Sequence, residues 1–306
     1  MKPSVLVLMS TYNGEAYVAE QIDSILNQKH VNVTLSIRDD GSTDNTYAIL
    51  QDYAGRHSNV TVQTGDNIGY AASFWTLLLQ ASNDYSFYAF SDQDDIWDDT
   101  KLASAIYALE QHDEQYRLYA CALRVVDEQL IEQYINAFPR LKPTLGSAIT
   151  RPRLSGCTMV LNPALFSLCQ SYDIRQPDGK CLAHDVAVYL TTLACGGKLV
   201  FSPKSYIRLR RHAKTVTGHG KSVFKRAATV LDIFTARRRE AYHQAEFLRK
   251  HLDGYLSAEA LDILDTILAY PTSIKKTFSL CFDKRIKCQV RSVDLVNIFA
   301  VLFRCY

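Results

Sequence analysis

Three carboxylates fall within four residues at Asp92-Gln93-Asp94-Asp95, directly after the aromatic run at residues 85–90. Like charges crowded at the end of an apolar segment repel unless a cation sits among them. Carboxylates so placed can hold a divalent cation. A solvated acidic turn is the plain alternative. An EF-hand loop is disfavoured, because neither its glycine nor its closing glutamate follows at the needed spacing. Asp39-Asp40-Gly41-Ser42 offers carboxylates that can accept hydrogen bonds from a base N–H or from ribose hydroxyls. The same residues also read as a turn, with Ser42, Thr43 and Asp44 capping a following helix. Tyr12, within Ser10-Thr11-Tyr12-Asn13-Gly14, presents a ring on which a base can stack. His184-Asp185 opens a helical run, where the helix dipole favours a carboxylate by ~0.3–1 kcal/mol. Asp185 is thus either a helix-start residue or a base. The segment Ile207-Arg208-Leu209-Arg210-Arg211-His212 is cationic and suited to phosphate. Spacing alone does not make His212 a ligand.

These residues need a scaffold, and the first hundred positions provide one. Residues 5–9 form a short apolar run that reads as a buried parallel strand. Residues 15–27 carry apolar side chains on one helical face. Residues 31–38 alternate and are β-branched, predicting a second strand. A helix over 46–53, a strand over 59–63, a helix over 70–81 and a strand over 85–90 continue the alternation. Strand–helix alternation implies right-handed crossovers and a mostly parallel, Rossmann-like α/β sheet flanked by helices. Ligands bind beyond the carboxyl ends of such strands. Those ends hold Thr11, Asp40, Gly65-Asp66-Asn67-Ile68-Gly69 and the acidic loop.

The chain has 306 residues, 47% of them hydrophobic and 22% charged, which suits a folded core. Net charge is only +2, so nothing points to nucleic acid. The eight cysteines form no C-x-x-C pair, arguing against a zinc ribbon and for reduced thiols in the cytoplasm. Residues 1–6 are too briefly apolar for a signal peptide, and no apolar stretch reaches ~18 residues. No G-x-G-x-x-G follows the first strand, so a dinucleotide site is unexpected. Gly220-Lys221-Ser222 imitates a phosphate loop but lacks the earlier glycine.

Met9-Ser10-Thr11-Tyr12-Asn13-Gly14-Glu15, the run from Gln21 to Gln28, and Arg38-Asp39-Asp40-Gly41-Ser42-Thr43-Asp44 together resemble the nucleotide-binding half of family 2 glycosyltransferases. Phe90-Ser91-Asp92-Gln93-Asp94-Asp95-Ile96-Trp97 is similar to that family's D-x-D element, in the form found in bacterial polysaccharide rhamnosyltransferases. The likeness spans about residues 3–218. It implies an inverting enzyme of GT-A fold. By this resemblance Tyr12 stacks on the base, Asp40 accepts from its N3–H, and Asp92 holds the ribose. Thr11, Asn13, Asn67 and Gly69 complete the nucleotide site. Asp94 ligates Mg2+ or Mn2+ on the diphosphate, with His212 as an added ligand. Asp185 is the catalytic base, and Gly156, Cys157, His184, Arg210 and Arg211 face the acceptor or diphosphate. The implied donor is a nucleotide sugar, with dTDP-L-rhamnose first and a UDP-hexose as alternative. The implied acceptor is a growing cell-surface polysaccharide or a lipid-linked glycan. Val186 stands where relatives often have tryptophan, and Leu209-Arg210-Arg211-His212 replaces the usual Tyr-Arg-x-His.

Two further readings compete. A glycoside hydrolase needs two carboxylates flanking one bond. A non-catalytic nucleotide-sugar module would keep the strand-end rim and lose the base. The expected organisation is a catalytic domain over 1–220, with a nucleotide half (1–100) and an acceptor half (101–220), then a basic helical region over 221–306. That last region holds 15 Lys and Arg against 9 Asp and Glu. Helices are expected over 224–252, 258–269 and 293–302. Lys275-Lys276, Lys284-Arg285, Lys287 and Arg291 alternate there with Phe278, Leu280, Phe282, Ile286 and Val290. Such a surface can lie on an anionic inner leaflet, as a peripheral contact of a cytoplasmic enzyme. Ordinary helix packing is the alternative.

Overall fold

The computed structural model describes residues 1–175, 181–212 and 239–306. Two compact units emerge. The first holds residues 1–138, 154–188 and 197–212; the second holds 139–153, 189–196 and the described part of 213–306.

The first unit is built on one mixed sheet. Strands β1 (Ser4–Thr11), β2 (Asn32–Asp39), β3 (Val60–Thr64) and β4 (Phe87–Ser91) run parallel in the order β3-β2-β1-β4. Helices α1 (Val18–Leu26), α2 (Thr46–Arg56) and α3 (Tyr70–Gln80) make the crossovers. Each helix forms because its apolar residues repeat at helical spacing. In α1, Val18, Ile22 and Ile25 are fully buried at i, i+4 and i+7. Each such side chain contributes roughly 1.5–3 kcal/mol. Strand order advances from β1 to β3, then reverses to β4. Right-handed crossovers therefore put α1 and α2 on one face and α3 on the other. The two crossover directions diverge between β1 and β4, and a crevice opens at their carboxyl ends.

The sheet continues through β8 (Val160–Leu161), β6 (Arg117–Val126), β9 (Lys198–Arg210) and β5 (Ile96–Trp97), with β7 (Glu132–Asn136) also paired to β6. Here β6 and β9 are parallel, whereas β4–β8, β8–β6, β6–β7 and β5–β9 are antiparallel. The parallel expectation thus describes the nucleotide half, and antiparallel pairs enter beyond β4. Strand β9 runs on through the cationic segment to Arg210, well past its apolar start. Helix α4 (Lys101–Glu110) follows β5, and α6 (Pro163–Cys169) follows β8. The core is aromatic at its centre: Tyr88 and Phe166 stack at 3.6 Å, and the buried Trp75 donates its indole N–H to Tyr172 O at 3.1 Å.

Helix α7 (His184–Ala194) starts in the first unit and ends in the second. The second unit also contains α5 (Leu145–Thr150), α8 (Glu240–Leu252), α9 (Ala258–Ala269), α10 (Ile274–Phe282) and α11 (Arg291–Leu302). Ala241, Ala245, Leu248 and Leu252 form the buried stripe of α8, and Ala260, Ile263, Leu264 and Ile267 that of α9. Tyr306 closes the unit, its hydroxyl 2.6 Å from Thr150 Oγ1 and its carbonyl accepting from Tyr270 OH at 3.0 Å. The sequence expectation of a helix beginning at 224 falls outside the described residues until Arg239. Leu280 and Ile286, grouped above with an outer apolar surface, are buried instead, while Phe278 and Phe282 are exposed. Among the described residues no helix is long and apolar enough to cross a membrane.

Candidate functional site

The crevice between β1 and β4 collects most of the chemistry. Register sets Met9 against Ser91, so the residues after both strands emerge side by side. Tyr12 N–H donates to Gln93 Oε1 at 2.8 Å, and Gln93 Nε2 donates back to Tyr12 O at 3.0 Å. This clasp needs Gly14, because a Cβ there would overlap the Gln93 amide. Held this way, the Tyr12 ring is half exposed, at 46%. Asn13 adopts a left-handed φ of 47°. Its N–H reaches Ser42 Oγ at 2.9 Å, and its Oδ1 accepts from Thr43 N at 2.8 Å. Thr11 is buried and donates to Asp39 Oδ1 at 2.9 Å. Asp39 also accepts from Ser42 N at 3.0 Å, so it holds the loop after β2.

Asp40 is 2% exposed and pairs with the buried Arg38 guanidinium. Its two oxygens accept from Ile68 N at 3.0 Å and Gly69 N at 2.9 Å. Asp40 therefore shapes the 67–69 loop from below. Asn67 is exposed and accepts from Gly69 N at 3.2 Å. Neither Arg38 nor Asp39 was among the expected site residues; both support it through hydrogen bonds with no spacing signature.

The acidic loop separates into functional layers. Asp94 Oδ2 lies 2.8 Å from His212 Nε2. Two adjacent ligand atoms on an octahedral ion with bonds of ~2.1 Å sit ~3 Å apart, so this pair fits a divalent cation. The pairing arises because β5 zips antiparallel onto β9, with Ile96 opposite Arg208, and so brings the end of β9 to the loop. Asp92, Asp95 and Cys157 form a second cluster, with one ligand atom from each within 4.8 Å of the others. Burial first, then the charges of Asp94 and Asp185, push the Asp92 carboxyl up to about 7. Burial pushes Asp95 well above the carboxylate range, with Asp94 and Asp92 adding to it. Burial and the neighbouring Asp95 and Asp92 likewise push the Cys157 thiol well up. A protonated thiol is a donor to these carboxylates, and its softness suits Mg2+ or Mn2+ poorly. Cys157 thus supports the loop, contrary to the expected contact with acceptor or diphosphate. Asp95 Oδ1 accepts from Arg210 N at 3.3 Å, and its Oδ2 is buried.

Arg210 is directed inward. It is 4% exposed and pairs with Glu20; Nη1 donates to Glu128 O at 2.9 Å and Nε to Asp94 O at 3.2 Å. Its guanidinium also covers the Tyr17 ring at 4.5 Å. With all three nitrogens engaged, it ties the acidic loop to α1 and is not presented to a phosphate, as had been expected. Arg211 is partly exposed and lies 5.6 Å from the Tyr134 ring.

Beneath the loop lies Lys101, fully buried, its ammonium 3.2 Å from the centre of the Trp97 ring and without a hydrogen-bond partner among the described residues. Burial pulls its pKa down to about 8, against the opposing fields of Cys121, Cys157 and Asp95.

Asp185 sits in the first turn of α7, and its Oδ1 accepts from Val186 N at 2.8 Å. It is close enough to Asp92 to raise that carboxyl. His184 is buried, stacked on Phe74 at 4.2 Å and edge-on to Phe90 at 5.0 Å. Burial lowers its pKa, and neither ring nitrogen has a hydrogen-bond partner among the described residues. Gly156 lets this ring pack, since a Cβ there would overlap Nε2. His184 is therefore a neutral wall behind Asp185 rather than an exposed contact.

Residues 6–169 match the family described as Glycosyl transferase family 2. The chain is 37% identical over 105 residues to "dTDP-rhamnosyl transferase RfbG" of Shigella flexneri, covering 33% of this chain and 36% of that protein. It is 37% identical over 128 residues to "Putative glycosyltransferase EpsE" of Bacillus subtilis, covering 41% and 45%. The alignments thus span less than half of those relatives. The "Putative teichuronic acid biosynthesis glycosyltransferase TuaG" of Bacillus subtilis is 28% identical over 64% of this chain and 74% of its own. Among solved structures, S. aureus TarS in complex with UDP-GlcNAc superposes with a TM-score of 0.59 at 18% identity, covering 96% of this chain and 83% of that one. That likeness shows the fold, a GT-A architecture with a helical C-terminal region. Sequence and fold agree that the chain belongs to glycosyltransferase family 2.

Proposed function

We propose that this protein is an inverting, metal-assisted transferase that moves a sugar from a nucleotide donor to a growing cell-surface polysaccharide or lipid-linked glycan at the cytoplasmic face of the membrane. Residues 1–220 are the part to which the chemistry is assigned, and the basic region over 221–306 follows, helical where it is described from Glu240 to Leu302. The observation that carries the reading is the 2.8 Å approach of Asp94 to His212 at the carboxyl end of β4, with Asp185 near enough to perturb Asp92.

Tyr12 offers its exposed ring to the base. Asp40 and Asn67 frame the loop on which the base rests, and Gly69, Thr11 and Asn13 fix the backbone around it. Asp92 accepts from the ribose. Asp94 and His212 would hold Mg2+ or Mn2+, which supplies Lewis-acid neutralisation of the leaving diphosphate. Asp185 takes the proton of the acceptor hydroxyl while that oxygen bonds to the anomeric carbon. The bond from that carbon to the diphosphate oxygen breaks with its electron pair, and the centre inverts. One base suffices, typically for a 10²–10⁴-fold effect. Hydrolysis by paired carboxylates is disfavoured, because the acidic loop caps a strand of a nucleotide-type α/β unit.

L-rhamnose from dTDP-L-rhamnose is the first donor to test, on the likeness to the Shigella rhamnosyl transferase. A UDP-hexose is the second, since UDP-GlcNAc occupies the fold neighbour. The full chain is offered each donor with a lipid-linked acceptor, with Mg2+, with Mn2+ and with chelator, and nucleoside diphosphate release is followed. Metal-dependent release from one donor is the expected result. Equal release in chelator removes the metal assignment. Binding of donor without any release leaves only a non-catalytic module.

A further inference from the structure

Helices α10 and α11 pack on each other within the second unit. The inner sides are Leu280 and Cys281 on α10, and Asn297, Ala300 and Val301 on α11. On the outer sides, Ile274, Phe278 and Phe282 recur at i, i+4 and i+8, and Leu295, Phe299 and Leu302 follow one stripe of α11, with Phe303 at its C-cap. Helical spacing aligns each set along one face. Phe278, Phe282, Phe299 and Phe303 are 56%, 75%, 53% and 66% exposed. A single exposed apolar residue is ordinary, but clustered large ones mark an interaction surface.

Charge selects the partner. Residues 270–306 hold seven basic side chains, Lys275, Lys276, Lys284, Arg285, Lys287, Arg291 and Arg304, against Asp283 and Asp294. Arg285 is paired with Asp283 at 2.6 Å and with Asp262 at 2.8 Å, and Asp294 accepts from Cys288 N at 2.8 Å, so the positive excess rests on Lys275, Lys276, Lys284, Lys287, Arg291 and Arg304. A second copy docked face to face would oppose one basic surface with another. An anionic bilayer offers acyl chains for the phenylalanines and phosphates for the lysines, whose stems can lie along apolar surface. Helices of 9 and 12 residues are far too short to cross it, so they would lie in its plane.

We propose that the outward faces of α10 and α11 are a docking surface for an anionic lipid membrane. This deepens the transfer reading by naming where a lipid-linked acceptor is met, but its test needs no turnover. The full chain is sedimented with vesicles of phosphatidylglycerol mixed into phosphatidylcholine, and with phosphatidylcholine alone. Binding should favour the anionic vesicles at least about tenfold and fall as salt rises. K275E/K276E should lose about tenfold or more on the anionic vesicles, and the triple variant F278S/F282S/F299S should lose binding at every salt. All of these side chains are at least partly exposed, and thermal unfolding checks that each variant is folded. Equal partitioning into both vesicle types overturns the proposal, as does binding that neither variant weakens. A dimer that the triple variant dissociates, with no vesicle binding, assigns the face to a second copy and also overturns it. Absence of nucleoside diphosphate release would count against the transfer reading alone.

Discussion

Lys101→Met should stabilise the protein near neutral pH, and the gain should vanish in alkali. The ammonium is completely buried beneath the acidic loop and has no hydrogen-bond partner among the described residues. A fall of its pKa from 10.5 to about 8 means that folding disfavours the charged form by about 3 kcal/mol relative to the neutral one. The Trp97 ring returns part of this through a cation–π contact at 3.2 Å, which is worth up to ~2 kcal/mol when desolvated. Methionine keeps the length, adds a sulfur–aromatic contact and removes the stranded charge. The net gain at pH 7 is then about 1–3 kcal/mol. Below pH 8 both folded and unfolded wild-type chains carry the proton, so the gap is constant there. Between pH 8 and 10.5 the unfolded chain keeps the proton while the folded chain sheds it. The unfolded state then binds more protons, wild-type stability rises with pH, and the gap closes. Urea unfolding at pH 7 and pH 10, followed by tryptophan emission, measures this within one unit, because Trp75 and Trp97 both lie in the first. A variant no more stable than wild type at pH 7, or a gap that ignores pH, refutes the reasoning. Donor turnover should fall in the same variant, because Asp95 loses the positive field beneath it.

Asp94→Asn should abolish the metal-dependent rise in melting temperature caused by donor, read by thermal shift with and without chelator; an unchanged rise rejects Asp94 as a ligand. Asp185→Asn should retain donor binding by calorimetry and lose turnover by roughly 10²–10⁴-fold, and near-normal turnover would remove the base. Asp92→Asn should stabilise the metal-free protein relative to wild type by an amount that grows as pH rises from 4 to about 7. The reason is that the raised carboxyl favours the folded state only while protonated; a pH-independent difference in urea midpoints would contradict the perturbed carboxyl. Gly156→Ala should cost roughly 1–3 kcal/mol in urea unfolding, because the new methyl overlaps the His184 ring.

The four parallel strands were legible because each is a short apolar or alternating run bounded by turn residues, and the rim at their carboxyl ends followed from the rule for parallel α/β sheets, whereas the strand order that opens the crevice is seen only in the structure. The acidic loop was legible because three carboxylates after a buried strand have few structural explanations. The layer beneath it was not. A lysine at a helix start reads as a solvated residue, and only tertiary packing puts Lys101 under Trp97. Arg210 sits among cations at the end of a strand and reads as a phosphate contact, yet Glu20 and Glu128, far away in sequence, claim its guanidinium. Helix α10 was hidden for a different reason. Ile274, Phe278 and Phe282 do recur at helical spacing, but they lie on the exposed side, and the buried side is only Leu280 and Cys281, too short a stripe to mark a packed helix.

These misreadings share a cause that bears on mechanism. Side chains that contact a ligand follow strand ends, which sequence reveals. Side chains that fix those contacts act across the sheet, from α1, α4 and the far end of β9. Arg210, at the end of β9, bridges α1 and the acidic loop, since it touches Glu20 of α1, the backbone of Asp94 and, through its own N–H, Asp95. Its position along β9 also sets His212, two residues on, against Asp94. Asp94 therefore meets His212 through the antiparallel pairing of β5 with β9 as much as through the acidic loop itself.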